Sequence, residues 1–160
     1  MERKDGMVNF SPEFQEYGTV RRWMEDGQDL SRLLLAERTA ARTYTRLARQ
    51  MNGEAGRRLE KMSREADAHA ACLEGICLLV TGQVPEACPP PEQGGAPQSV
   101  LRRCYGSAMR TLVTYEARRD DPEYGPVFRR LAEQQQTHCK TILELIGRMT
   151  EDHWAFSTGR

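Results

Sequence analysis

Residues 83–99 read QVPEACPPPEQGGAPQS, and this stretch decides the fold. Pro85, Pro89, Pro90, Pro91 and Pro97 stand there with Gly94 and Gly95. Neither a helix nor a strand survives that composition, because proline removes a backbone donor and glycine favours disorder. The stretch is therefore a loop, and fully extended it reaches roughly 55 Å. A helix of the length that flanks it measures about 40 Å. The loop can run the whole length of a helical bundle and set the start of the next helix beside the start of the previous one.

Outward from the loop, Asn52-Gly53, Gly82 and Asp120-Asp121-Pro122 divide the chain into four segments. Each carries apolar residues at alternating three- and four-residue spacings, a helical period. The first helix, about 29–51, aligns Leu30, Leu34, Glu37, Ala41, Tyr44, Ala48 and Met51. The second, about 54–81, aligns Leu59, Met62, Ala66, His69, Leu73, Ile76 and Val80. The third, about 99–119, aligns Leu101, Tyr105, Ala108, Leu112 and Tyr115. The fourth, about 123–149, aligns Phe128, Leu131, Gln135, His138, Ile142, Leu145 and Met149.

Turns of a few residues make each consecutive pair an antiparallel hairpin. The expected fold is all-α: a four-helix bundle over 28–149, two hairpins joined by the long crossover loop. Residues 1–27 read as an irregular arm, in which Ser11-Pro12-Glu13 starts one short turn carrying Phe14 and Tyr17. With Phe10 and Trp23, these aromatics are expected to cover the bundle. Residues 150–160 read as a tail.

With 160 residues the chain can form a core without disulfides. Lys plus Arg equals Asp plus Glu, so bulk charge selects neither nucleic acid nor an anionic membrane. No apolar run approaches the roughly 20 residues of a membrane span, and no secretory signal is visible at the start. The five cysteines form no CxxC pair, which suits reduced thiols in the cytoplasm.

The two halves repeat. Glu54, Gly56, Leu59, Met62, His69, Leu73 and Ile76 answer to Glu123, Gly125, Phe128, Leu131, His138, Ile142 and Leu145, and Tyr44 answers to Tyr115. Four polar residues interrupt the apolar seams at one height: Glu37, His69, Gln135 and His138. A buried polar group costs a few kcal/mol unless it is partnered, so these four should converge near the bundle axis. Glu37 would find its donors in His69, His138 and the Gln135 amide, and its charge would raise the imidazole pKa values.

Crossover, doubled hairpin and mid-helix histidines together resemble the ferritin-like superfamily, specifically rubrerythrin-like domains. The local texts are LLLAERTAARTYTRLARQM at 33–51, EKMSREADAHAACLEGICLLVTG at 60–82 and FRRLAEQQQTHCKTILELIGRM at 128–149. The resemblance implies a Glu on the first and third helices and a Glu-x-x-His on the second and fourth, together binding two irons. Glu37, His69 and His138 match. The other carboxylate positions hold Ala66, Ala108 and Gln135, with Glu65 and Asp67 flanking Ala66 about 100° away. Glu116 lies about two turns from the level of Ala108.

One seam carboxylate cannot balance two divalent ions in a low-dielectric core. A full di-iron centre is therefore not expected. Glu37, His69 and His138, with Gln135 as an accessory, would suit a single iron, zinc or manganese ion. Two readings follow. One is a cytoplasmic, rubrerythrin-related protein keeping a single metal, with family-implied iron or peroxide handling. The other is a metal-free bundle acting as a scaffold or protein-interaction module, self-associating through an outer helix face. The sequence leaves catalysis open and leans against it; by the resemblance, an active form would be a non-haem iron oxidoreductase of rubrerythrin type. Arg38, Arg42, Arg46 and Arg49 on the first helix, with Arg57, Arg58, Lys61 and Arg64 on the second, read as a solvated basic face.

Overall fold

A computed structural model describes residues 12–157, with side chains described over 27–152. It contains four helices, α1 Pro12–Gln50, α2 Gly53–Thr81, α3 Pro97–Ala117 and α4 Gly125–Ser157, and no strand among the described residues. The backbone between 12 and 27 is not the irregular arm that the sequence suggested. It continues α1, starting on Pro12, whose fixed φ suits a first helical position. Glu13, Glu16, Arg21, Arg22 and Met24 are helix formers, and Gly18 and Gly27 cost too little to break the run. α4 likewise runs on through the expected tail to Ser157. Phe10, Phe14, Tyr17 and Trp23 lie outside the residues with described side chains.

Both hairpin turns depend on glycine at the same repeat position. A Cβ on Gly56 would stand 2.2 Å from the Met51 carbonyl, and one on Gly125 would stand 2.8 Å from the Arg119 carbonyl. The helix start thus packs against the preceding turn more closely than any side chain permits. Gly82 closes α2 in the left-handed conformation, with φ of 74° and its N–H on the Leu78 carbonyl at 2.9 Å.

α1 packs along α2 and α3 along α4, with α1 facing α3 and α2 facing α4 across the bundle. Polar contacts fix the directions. Between α2 and α4 they pass from Arg148–Glu54 at 3.4 Å through Arg58–Glu144 at 2.5 Å to His69–Gln134 at 2.8 Å, an antiparallel order. Arg118 near the end of α3 reaches Asp29 of α1 at 3.1 Å. α3 therefore runs parallel to α2, as the reach of the crossover allowed.

The crossover lies along α1. Arg38 donates to the Ala87 carbonyl at 2.8 Å, Arg42 to Pro90 at 2.5 Å and Arg46 to Gln93 at 3.2 Å, and Arg103 of α3 meets Gly94 at 3.0 Å. Arg38 also pairs with Glu74. A proline-rich segment builds no ladder of its own, so its carbonyls need outside donors. The arginines expected to form a solvated face supply them.

Buried apolar residues form two clusters. One gathers Leu30, Leu34, Leu73, Ile76, Phe128 and Leu131 near the first half of α1; the other gathers Leu47, Leu59, Leu101, Ile142 and Leu145 near its second half. The buried seam residues Glu37, His69, Gln135 and His138 lie between them. Cys77 and Cys139 are buried, and all five thiols are free. No described helix is long and apolar enough to cross a membrane.

Candidate functional site

Each of the four seam residues is at most 3% exposed, so each must resolve its polarity inside the protein. His69, on α2, does so completely. Its Nδ1 lies 3.2 Å from Glu37 Oε1 of α1, and its Nε2 lies 2.8 Å from Gln134 Oε1 of α4. The Glu37 carboxylate is an acceptor, so Nδ1 donates; with the Gln134 amide oxygen assigned toward the ring, Nε2 donates as well, which is the imidazolium form. Burial works against the charge. The hydrogen bond and charge of Glu37, helped by Gln134 and Glu65, outweigh it and hold the His69 pKa above 6.5. Glu37 Oε1 accepts a second bond, 2.6 Å long, from the Tyr115 hydroxyl of α3. Burial and the Glu37 charge push the Tyr115 pKa far up, so that hydroxyl stays a donor.

His138, on α4, is the repeat mate of His69 and is only half satisfied. Its Nε2 donates to Glu65 Oε2 of α2 at 2.8 Å, while its buried Nδ1 has no partner. Burial lowers its pKa below 6.5 by more than the Glu65 hydrogen bond raises it, and nearby His69 lowers it further. This ring is neutral, with the lone pair on Nδ1. The two imidazoles stack, with centroids 5.6 Å apart and planes 24° from parallel. Tyr115 stands edge-on to His69 at 6.5 Å, and Tyr44 edge-on to His138 at 6.1 Å.

The seam pattern thus brings Glu37, His69 and His138 together, but the partners differ from those expected. The donors to Glu37 are His69 and Tyr115. Gln135 turns its amide to the Ala108 carbonyl at 3.3 Å, leaving its own Oε1 without a partner. Two functional residues, Glu65 and Gln134, were not singled out as partners by the seam reading because they sit beside the seam. A signal for them was present. Glu65 and Gln134 are repeat mates, each four residues before the histidine of its own helix, and each reaches the histidine of the opposite helix.

The di-iron set implied by the family resemblance does not fit these residues. Ala66 and Ala108 cannot ligate, Gln135 carries no charge, and both nitrogens of His69 already meet protein acceptors. Among the described residues no group of three or more His, Cys, Asp or Glu side chains is arranged to hold a metal ion. What the layer offers chemically is a buried imidazolium–carboxylate pair beside a neutral imidazole. No family model, curated protein or solved structure matches the chain.

Proposed function

We propose that this chain is a cytoplasmic, ferritin-like protein of rubrerythrin descent whose metal layer has become a hydrogen-bonded polar layer. It serves as a metal-free scaffold or protein-interaction module. The observation that carries this reading is the full engagement of His69. An imidazolium bonded at both nitrogens cannot donate an electron pair to a metal, and its counter-ion Glu37 also holds the Tyr115 hydroxyl. Buried carboxylates that served two cations would repel one another in a metal-free core. Replacing them with Ala66, Ala108 and Gln135 removes that repulsion and lets the bundle stand alone.

A second reading rests on the unpartnered Nδ1 of His138. In it, Glu37, His69 and His138 hold one iron, zinc or manganese ion, which requires His69 Nδ1 to lose its proton and leave Glu37. Metal analysis of protein purified without chelator, repeated after aerobic iron loading, separates the two. The metal-free reading expects neither sample to retain stoichiometric metal, and expects the melting temperature to ignore added metal. One ion per chain, lost in Glu37→Gln, would establish the second reading. Two irons per chain with a bridging-ligand absorbance would overturn both.

A further inference from the structure

Helix α1 outruns the bundle. At Gly27 it meets Thr81, where α2 ends: a Cβ on Gly27 would stand 3.4 Å from the Thr81 methyl. Two residues on, Asp29 accepts from the Arg118 guanidinium just past the end of α3, and α4 begins in the turn that follows, at Gly125. Residues 12–26 of α1 therefore continue beyond all three partners, by roughly 22 Å at helical rise. We propose that this projecting segment is a dimerisation element, pairing antiparallel with the same segment of a second copy of the chain.

The segment reads PEFQEYGTVRRWMED. Phe14, Tyr17, Val20 and Met24 stand in it at helical spacing, with Trp23 beside them. A lone projection leaves this apolar stripe in water, and such stripes mark interaction sites. Propensity permits the helix but does not hold it: isolated helices of about 15 residues are marginal in water, and Gly18, Thr19 and Val20 are weak helix formers. Packing against a partner supplies what is missing. The bundle end at the root of the projection is apolar as well. Leu78, Leu79 and Val84 are exposed there, Leu79 by 75%. They flank an open cleft of about 970 Å³ lined by Gly27, Gln28, Val80, Thr81 and Pro85.

The order of the residues selects a second copy, and an antiparallel one. With Gly18 level with Thr19 of the second copy, the smallest residues stand at the centre of the overlap and let the two helices approach. The same register sets Tyr17 level with Val20, Glu16 with Arg21 and Phe14 with Trp23. Glu25 falls level with Pro12, the start of the other helix, where a carboxylate is favourable. A parallel pair would instead set Glu16 against Glu16 and Arg21 against Arg21. Every pairing occurs twice about a two-fold axis, so the assembly closes at two chains. The overlap of residues 12–25 and the adjoining bundle ends would bury on the order of 1,000 Å², enough for a weak specific interface. This inference deepens the protein-interaction reading by naming its partner, and it is independent of the polar layer. Metal retention would overturn the metal-free reading and leave the dimer standing, whereas a monomeric chain would do the reverse.

Sedimentation equilibrium of the full chain, from about 1 to about 300 μM, tests it; a reversible monomer–dimer equilibrium with a micromolar Kd is expected. Phe14→Glu and Trp23→Glu should each weaken the dimer at least about tenfold, with circular dichroism confirming that the bundle stays folded. Glu16→Arg and Arg21→Glu should each weaken it too, and the double variant should restore it, because only the antiparallel register opposes these two residues. A chain that stays monomeric at the highest concentration would overturn the proposal. So would a dimer undiminished by Phe14→Glu and Trp23→Glu, an assembly larger than two chains, or a double variant without rescue.

Discussion

His69 and His138 occupy the same position of two repeated hairpins, yet one is saturated and the other is not. His69 has an acceptor at each nitrogen, Glu37 and Gln134; His138 has Glu65 at Nε2 and nothing at Nδ1. The difference traces to one pair of repeat positions. Glu37 on α1 corresponds to Ala108 on α3, by the same offset that relates Tyr44 to Tyr115. Where the carboxylate stands, it charges its imidazole and recruits a tyrosine. Where alanine stands, the imidazole remains neutral and the glutamine amide falls back on a main-chain carbonyl. A single side chain therefore sets the electrostatics of half the layer.

The largest effect that can break this comparison is removal of the carboxylate. Glu37→Gln keeps the shape but leaves a buried imidazolium without its counter-ion and weakens the Tyr115 bond. It should cost about 2–3 kcal/mol in urea unfolding near neutral pH. A cost near zero would mean that His69 is not charged in the fold.

The tyrosines give a smaller, paired contrast. Tyr115→Phe removes the 2.6 Å bond to Glu37 and should cost about 1–2 kcal/mol. Tyr44→Phe should cost under about 0.5 kcal/mol, since the Tyr44 hydroxyl has no hydrogen bond among the described residues. Equal losses would erase the asymmetry between the halves.

A third contrast is one of sign. The pKa of His69 is raised above 6.5 in the fold, so its stabilising share is complete below that pH and is lost as pH rises through the folded value. The pKa of His138 is lowered, so the unfolded chain takes up a proton that the fold refuses, and stability falls as pH drops below 6.5. Together they place a stability maximum near pH 6.5. Denaturation across pH checks this, and Glu37→Gln should flatten the alkaline flank and steepen the acidic one, because burial then prevails at His69 and His138 loses a charge that raises its pKa.

Much of this was legible in the sequence. The proline-rich loop was long enough for a crossover and too rich in proline for regular structure, but its arginine tethers were missed, because Arg38, Arg42 and Arg46 read as a solvated face. The seam spacing of Glu37, His69 and His138 placed them together because the helical period puts such residues on one face. Less was visible beside the seam. Glu65 and Gln134 sit off the apolar stripe, and their long side chains reach across the helix interface in a way that angular position alone does not show. Phe14, Tyr17, Val20 and Met24 stand at helical spacing ahead of residue 29, a signal that the reading of 1–27 as an irregular arm passed over and that the backbone of α1 bears out.

The central claim is that the layer is saturated on the His69 side by protein rather than by metal. Nitrogen NMR of the imidazole rings in the full chain at neutral pH tests it directly. Protons on both nitrogens of His69, one proton on Nε2 of His138, and spectra unchanged by added ferrous or zinc ion are the predicted result. A neutral His69 whose Nδ1 resonance moves when metal is added would contradict it.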